Sequence, residues 1–80
     1  MVSPLTEIRK RKGMSRYELS VLLNISEATL KRIESGSARL PAKCYDGLEN
    51  FGLDTDEIAK KQDEYITAKR IEIIEKYKDK

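Results

Sequence analysis

The side chains of this 80-residue sequence exclude most kinds of catalytic chemistry. The chain has no histidine and a single cysteine, Cys44. A zinc site of the usual nitrogen and sulfur ligands therefore cannot form within one chain, and neither Ser-His-Asp nor Cys-His catalysis is available. No disulfide can form within the chain. We expect a protein that is not an enzyme and that uses no metal or cofactor.

The remaining groups with chemistry are charged, and they are unevenly distributed along the chain. There are 16 Lys and Arg and 14 Asp and Glu, which gives a formal net charge of +2. Residues 1–52 hold nine of the bases and six of the acids, whereas residues 53–80 hold seven bases and eight acids. A modest basic excess is compatible with a polyanionic partner, and equally with an ordinary mixed-charge surface.

Length and hydropathy predict one small cytoplasmic domain. A domain of this size buries only about 60–65% of its unfolded-state surface, so self-association is an obvious source of extra stability. No apolar run approaches the roughly 20 residues that a membrane span needs, and the N-terminus lacks an apolar signal segment.

Helix-capping residues and glycines divide the chain into four short helices and one long one. Ser3 followed by Pro4 starts the first helix, Ser15 and Glu18 form a capping box at the second, and Asp54 starts the last. The spacing predicts helices at about 4–12, 15–23, 26–35 and 41–51 in a domain at 1–53, followed by a long C-terminal helix at 54–80. No alternating strand pattern exceeds a few residues, so the predicted fold class is all-α.

The second and third helices are separated by a turn of only three or four residues, which is helix-turn-helix geometry. Three groups of residues match a known protein family in residue type and spacing: Gly13–Ser20, Ile25–Gly36, and Pro41 with Leu53–Ile58. With them, the sequence resembles the lambda-repressor-like family, the Cro/CI-type (XRE) helix-turn-helix DNA-binding domains. The resemblance implies a five-helix lambda-repressor-like fold, whereas the extended C-terminal helix is predicted from the absence of Gly and Pro after Asp54 and is the least family-like part.

In this family the third helix lies in the DNA major groove and residues near its N-terminus meet base edges. The base contacts that the resemblance implies are Glu27, Ala28, Thr29, Lys31 and Arg32. The implied contacts to the sugar-phosphate backbone are Arg16, Ser26, Ser35, Ser37, Arg39 and Lys43. The alternative is that these side chains are only the solvent face of an amphipathic helix and a polar loop.

Two positions depart from the family pattern, and two match a structural role. Arg16 stands where the family usually has glutamine, although arginine also binds phosphate. Glu27 is a carboxylate that repels phosphates, so it either specifies cytosine or argues against DNA binding. Arg9 and Glu34 match family positions that form an internal ion pair between the first and third helices. The free thiol of Cys44 is predicted to lie in the core.

The long C-terminal segment carries an apolar stripe at helical spacing. The predicted dimer interface consists of Ala59, Ile66, Ile73, Ile74 and Tyr77. Polar residues such as Gln62 and Lys69 interrupt the neighbouring positions, so a strict coiled coil is not predicted. Packing against the same chain and docking of another protein are the alternatives.

These features favour a homodimeric transcriptional repressor of phage, plasmid or mobile-element type. Such a protein would occupy a pseudo-palindromic operator in double-stranded DNA and exclude polymerase. Two alternatives remain open. One is an antitoxin-like or anti-regulator module that binds a partner protein or antirepressor, and the other is an accessory DNA-binding protein of plasmid transfer or replication.

Overall fold

The computed structural model describes residues 1–78, and its regular elements in that range are all helical. The helices are α1 (Pro4–Arg11), α2 (Arg16–Leu22), α3 (Glu27–Ser35), a 3₁₀ turn (Ala42–Cys44) that leads into α4 (Tyr45–Asn50), and α5 (Thr55–Tyr77). The all-α, five-helix fold with an extended C-terminal helix is thereby confirmed. The last two residues of the predicted 54–80 segment lie outside the described residues.

Side-chain caps fix where the helices begin. The Ser15 hydroxyl accepts a hydrogen bond from the Glu18 backbone N–H at 3.1 Å, and the Glu18 carboxylate accepts one from the Ser15 N–H at 2.8 Å. Asn24 takes a left-handed conformation (φ 57°) in the turn between α2 and α3. The capping box and the turn thus lie where the sequence predicts them.

The fourth predicted helix, 41–51, is shorter than expected and begins irregularly. Pro41 offers no side-chain cap, and the Cys44 N–H bonds to the Pro41 carbonyl at 3.0 Å, which is the tighter 3₁₀ pattern. A Cβ placed on Gly47 would lie 2.6 Å from the Leu22 carbonyl oxygen. The helix therefore approaches the end of α2 so closely that only glycine fits at this position.

The hydrophobic core is formed by residues from all five helices and the connecting turns. Its buried members are Leu5, Ile8, Leu19, Leu23, Ile25, Leu30, Ile33, Leu40, Cys44, Leu48 and Ile58. Burial raises the pKa of the Cys44 thiol, a shift that nearby Lys43 only partly opposes. Cys44 is thus a core residue, as the sequence predicts.

Helix α5 packs on the domain through its first half and extends away from it in its second half. Ile58, Gln62, Tyr65 and Ile66 are buried, whereas every described residue from Arg70 onward is exposed. The predicted dimer stripe is divided accordingly: Ile66 is buried and Ala59 packs against the core, while Ile73, Ile74 and Tyr77 are exposed. Dimerisation through Ile66 is therefore not supported, because that side chain is already covered within its own chain.

Candidate nucleic-acid interface

The inner and outer faces of α3 are sharply different. Leu30 and Ile33 are fully buried and hold the helix against the core. The outer face carries four exposed residues of the predicted base-contact set, which are Glu27, Ala28, Lys31 and Arg32, and the half-buried Thr29. The structure therefore brings the predicted base contacts onto one accessible edge.

Two hydroxyls at the start of α3 are already engaged with each other. Ser26 accepts a hydrogen bond from the Thr29 N–H at 3.0 Å and donates to the Thr29 hydroxyl oxygen at 2.8 Å. Since the only hydroxyl proton of Ser26 is used in this contact, its side chain has no donor left for a phosphate. The side chain of Ser26 thus acts as a helix cap. Thr29 still presents its methyl group for contact with a base.

A buried ion pair fixes α1 against the C-terminal end of α3. The Arg9 guanidinium donates to both carboxylate oxygens of Glu34, at 2.9 and 3.1 Å, and the Thr6 hydroxyl donates to the same carboxylate at 3.0 Å. The Glu34 side chain is only 5% exposed. Bidentate geometry and burial make this one of the stronger kinds of ion pair, and they confirm the predicted internal role of Arg9 and Glu34.

Arg16 lies next to this pair without joining it fully. Its Nε is 3.7 Å from the Glu34 carboxylate, which is too long for a hydrogen bond, and it has no other hydrogen-bond partner among residues 1–78. The Arg16 side chain is 38% exposed. Nε itself is buried, so a phosphate contact would have to come from the exposed part of the Arg16 side chain.

Arg16 borders an open hollow of about 340 Å³ beside α3. The hollow is lined by Val2, Thr6, Arg9, Lys10, Arg16, Lys31, Glu34, Ser35 and Tyr65. Four of these residues are cationic and one is anionic, so the hollow has a net positive charge. Lys10 belongs to this group and also lies in the last turn of α1, where a cation interacts favourably with the helix dipole.

The other predicted backbone contacts lie at the C-terminal end of α3 and after it. Ser35 and Ser37 are exposed, and both hydroxyls donate to the Arg32 carbonyl, at 2.9 and 3.1 Å. Lys43 is exposed at the 3₁₀ turn. Arg39 instead pairs with Asp63 on α5 through two contacts of 3.3 Å, and this hydrogen-bonded carboxylate raises the pKa of Arg39. Sequence reasoning missed Asp63 because the two residues are 24 positions apart.

Comparison with known families identifies this arrangement. A family model described as helix-turn-helix matches residues 5–43, which run from α1 into the 3₁₀ turn. The match covers 39 of the 80 residues and agrees with the lambda-repressor-like resemblance of the sequence. Searches of curated proteins and of solved structures gave no significant match.

The helix-turn-helix family supports sequence-specific DNA binding of the transcription-regulator type. In its geometry α3 corresponds to the recognition helix, whose outer edge carries the exposed residues described above. Helices α4 and α5 lie beyond the matched segment. Within residues 1–78, no helix is both long and apolar enough to cross a membrane.

Proposed function

We propose that the protein binds a pseudo-palindromic operator in double-stranded DNA as a homodimer and represses transcription by excluding polymerase. The main support is the recognition helix, α3, whose inner face is fully buried while Glu27, Ala28, Lys31 and Arg32 are exposed. Repression, and origin in a phage, plasmid or other mobile element of bacteria, follow from the family resemblance. The site of action would then be the bacterial cytoplasm.

The exposed edge of α3 has side chains suited to reading bases. Arg32 can donate two hydrogen bonds to O6 and N7 of one guanine, and Lys31 can reach a guanine or a phosphate. Glu27 can accept from N4 of cytosine, while Ala28 and the methyl group of Thr29 can pack on a thymine methyl. This mixture of donors, an acceptor and apolar groups favours recognition of a particular sequence over general attraction to phosphates.

Phosphate contacts would come from the positive hollow and the end of α3. The partly exposed Arg16 and Lys10 line this hollow, whereas the hydroxyls of Ser35 and Ser37 would have to leave the Arg32 carbonyl to bind a phosphate. Lys43 extends this set, whereas Arg39 would have to leave Asp63. Such contacts would make binding weaken steeply as salt concentration rises.

Dimerisation is proposed through the second half of α5. Ile73, Ile74 and Tyr77 are each more than half exposed on a helix that extends beyond the domain. A contiguous apolar surface of this kind is unfavourable in water and is typical of protein interfaces. A symmetric pair would have to present its two recognition helices about 34 Å apart, one helical turn of DNA.

Selection of bound sequences from a random duplex pool, at about 150 mM salt, tests this proposal. We expect a palindromic consensus for the protein and a relaxed consensus for Arg32→Ala. The charge-matched control is Lys60→Ala, because Lys60 is an exposed cation on α5 outside the proposed interface. Absence of enrichment with the unmodified protein would contradict DNA recognition, and a lone half-site would contradict the dimer.

A partner-binding module is the second candidate, and exposed apolar residues on α2 favour it. Tyr17, Val21 and Leu22 are all exposed on that short helix. An antitoxin-like or anti-regulator protein would use such a surface together with Glu27, and the duplex pool would then give no consensus. An accessory protein of plasmid transfer or replication would instead give a consensus without repressing a promoter placed beside it.

A further inference from the structure

A small set of buried polar contacts joins α5 to the end of the recognition helix. The Gln62 side chain is fully buried. Its amide nitrogen donates to the Ile33 carbonyl at 2.8 Å and to the Ala38 carbonyl at 3.0 Å, and its amide oxygen accepts from the Ser3 hydroxyl at 2.8 Å. The Tyr65 hydroxyl donates to the Glu34 carbonyl at 2.9 Å. We call Gln62 and Tyr65, with these contacts, the latch.

The latch binds backbone carbonyls at the C-terminal end of the recognition helix. The last carbonyls of an α-helix have no intrahelical donor, and those of Ile33 and Glu34 lie in the final turn of α3. The Glu34 carbonyl accepts from Tyr65, 31 residues away along the chain. The Ile33 carbonyl accepts from the Gly36 backbone N–H at 3.1 Å and gains Gln62, 29 residues away, as a second donor. These hydrogen bonds fix the orientation of α5 relative to the last carbonyl groups of the recognition helix.

Close packing at the end of α3 reinforces these hydrogen bonds. Gly36 ends the helix with φ +85°, and a Cβ there would lie 3.0 Å from Cγ of Lys69 and 3.1 Å from a ring carbon of Tyr65. Buried hydrogen bonds are directional and costly to leave unmade, so a change in the angle between the two helices would break several of them together. Apolar contacts alone would tolerate such a change more easily, because they have no preferred direction.

We propose that Gln62 and Tyr65 are positioning residues that fix the angle between α3 and α5 and so determine which half-site spacing the dimer accepts. This inference rests on the proposed DNA-binding dimer. The 12 residue-to-residue steps from Tyr65 to Tyr77 span roughly 18 Å of helix at about 1.5 Å per step. A tilt of about 10° at the latch would move the far end of that segment by roughly 3 Å, close to the rise of one base pair at about 3.4 Å.

The test compares half-site affinity with spacing preference. The double variant Gln62→Met, Tyr65→Phe keeps side chains of similar size but removes the hydrogen bonds. Fluorescence anisotropy is measured on a single half-site duplex and on duplexes whose two half-sites lie at the selected spacing or one and two base pairs away from it. For the unmodified protein we expect affinity to fall about tenfold with one base pair of displacement, and for the variant less than about threefold. Half-site affinity should stay within about twofold in both.

Ser20→Ala is the matched control. Ser20 is buried and its hydroxyl donates to the Tyr17 carbonyl at 2.7 Å, so the substitution removes a partly buried hydrogen bond within α2 and leaves the latch intact. This variant should keep the sharp spacing preference. Tyr65→Phe alone carries the same test if the double variant does not fold, with a smaller loss of preference expected.

Three results would overturn the inference. A sharp spacing preference retained by the folded latch variant would show that the latch does not set the angle. Equal losses on the half-site and on every spacing would show a merely structural role. An unmodified protein that binds no duplex, or binds only single half-sites, would remove the proposed function and this inference with it.

Discussion

The two halves of α5 carry the same apolar stripe in opposite surroundings. Ile66 in the first half is 8% exposed, whereas Ile73, seven residues later, is 57% exposed. The first half is held by apolar packing and by the buried amide of Gln62, whereas the second half has no counterpart of that amide among the described residues. Isoleucines at a seven-residue spacing, such as Ile66 and Ile73, therefore indicate an apolar stripe. The spacing does not indicate which part of the stripe is covered by the rest of the chain.

The largest expected effect comes from the same substitution made in both halves. Ile66→Ala should lower the free energy of unfolding by about 2–5 kcal/mol, because it leaves a cavity in a packed site. Ile73→Ala should change it by less than about 0.5 kcal/mol when measured on the monomer. Urea denaturation followed by circular dichroism, at concentrations low enough to avoid dimers, provides the measurement. Equal effects would mean that the first half of α5 is not anchored as described.

A substitution on the recognition helix, α3, should have the next largest effect, which is a loss of affinity for the operator. Arg32→Ala should weaken binding to the selected operator by about 1–3 kcal/mol and relax the preference at one base pair. Anisotropy titrations with the operator and with single-base variants measure both quantities. Equal weakening on every duplex would instead make Arg32 a phosphate contact.

The exposed end of α5 should affect association without affecting the fold. We expect Ile73→Ser combined with Ile74→Ser to raise the dimer dissociation constant by about tenfold or more, since both side chains would lose apolar burial. Sedimentation equilibrium gives the constant, and Ile71→Ser is the control because Ile71 is an equally exposed isoleucine outside the predicted stripe. A full-length protein that is monomeric at high micromolar concentration would contradict the dimer.

Breaking the exposed ion pair between Arg39 and Asp63 should change DNA affinity by a smaller amount. Asp63→Asn removes the charge that holds Arg39 and should strengthen operator binding by about twofold to fivefold, since one more cation becomes available to phosphate. The gain should shrink as salt concentration increases. Unchanged affinity at low salt would show that Arg39 does not contact the DNA.

The smallest expected effect is a pH dependence within α2. The Ser15 backbone N–H, with a further contribution from the Ser15 hydroxyl, lowers the pKa of Glu18. A lowered folded-state pKa stabilises the fold above the ordinary glutamate value of about 4.5, and this stabilisation is lost as the pH falls through the folded-state pKa. Thermal unfolding between pH 7 and pH 3 should therefore show less acid destabilisation in Glu18→Gln than in the unmodified protein. An identical acid profile would exclude the contribution.

Local signals in the sequence were sufficient to predict much of the fold. Capping residues such as Ser3 and Ser15 predicted helix starts, and family spacing predicted the pair between Arg9 and Glu34. The family resemblance implied the set on the outer face of α3, and the burial of Leu30 and Ile33 agrees with it, although contact with DNA stays a prediction. These features depend on neighbours a few residues away or on a pattern shared by a family.

Other features could not be predicted because they depend on distant backbone groups. Gln62 looks like a polar interruption of an apolar stripe, yet it is fully buried because three partners outside α5 satisfy its amide. Main-chain carbonyls have no sequence signature, so their positions could not be inferred. For the same reason the sequence did not indicate that Ile66 would be covered within the chain while Ile73 stayed exposed.

Amide NMR during titration with the selected operator tests the central claim most directly. The account predicts shifts concentrated between Ser26 and Ser37, largest near Lys31 and Arg32, and much smaller shifts with a scrambled duplex of equal length. It would be contradicted if the amides of α3 stayed unchanged while the operator was bound.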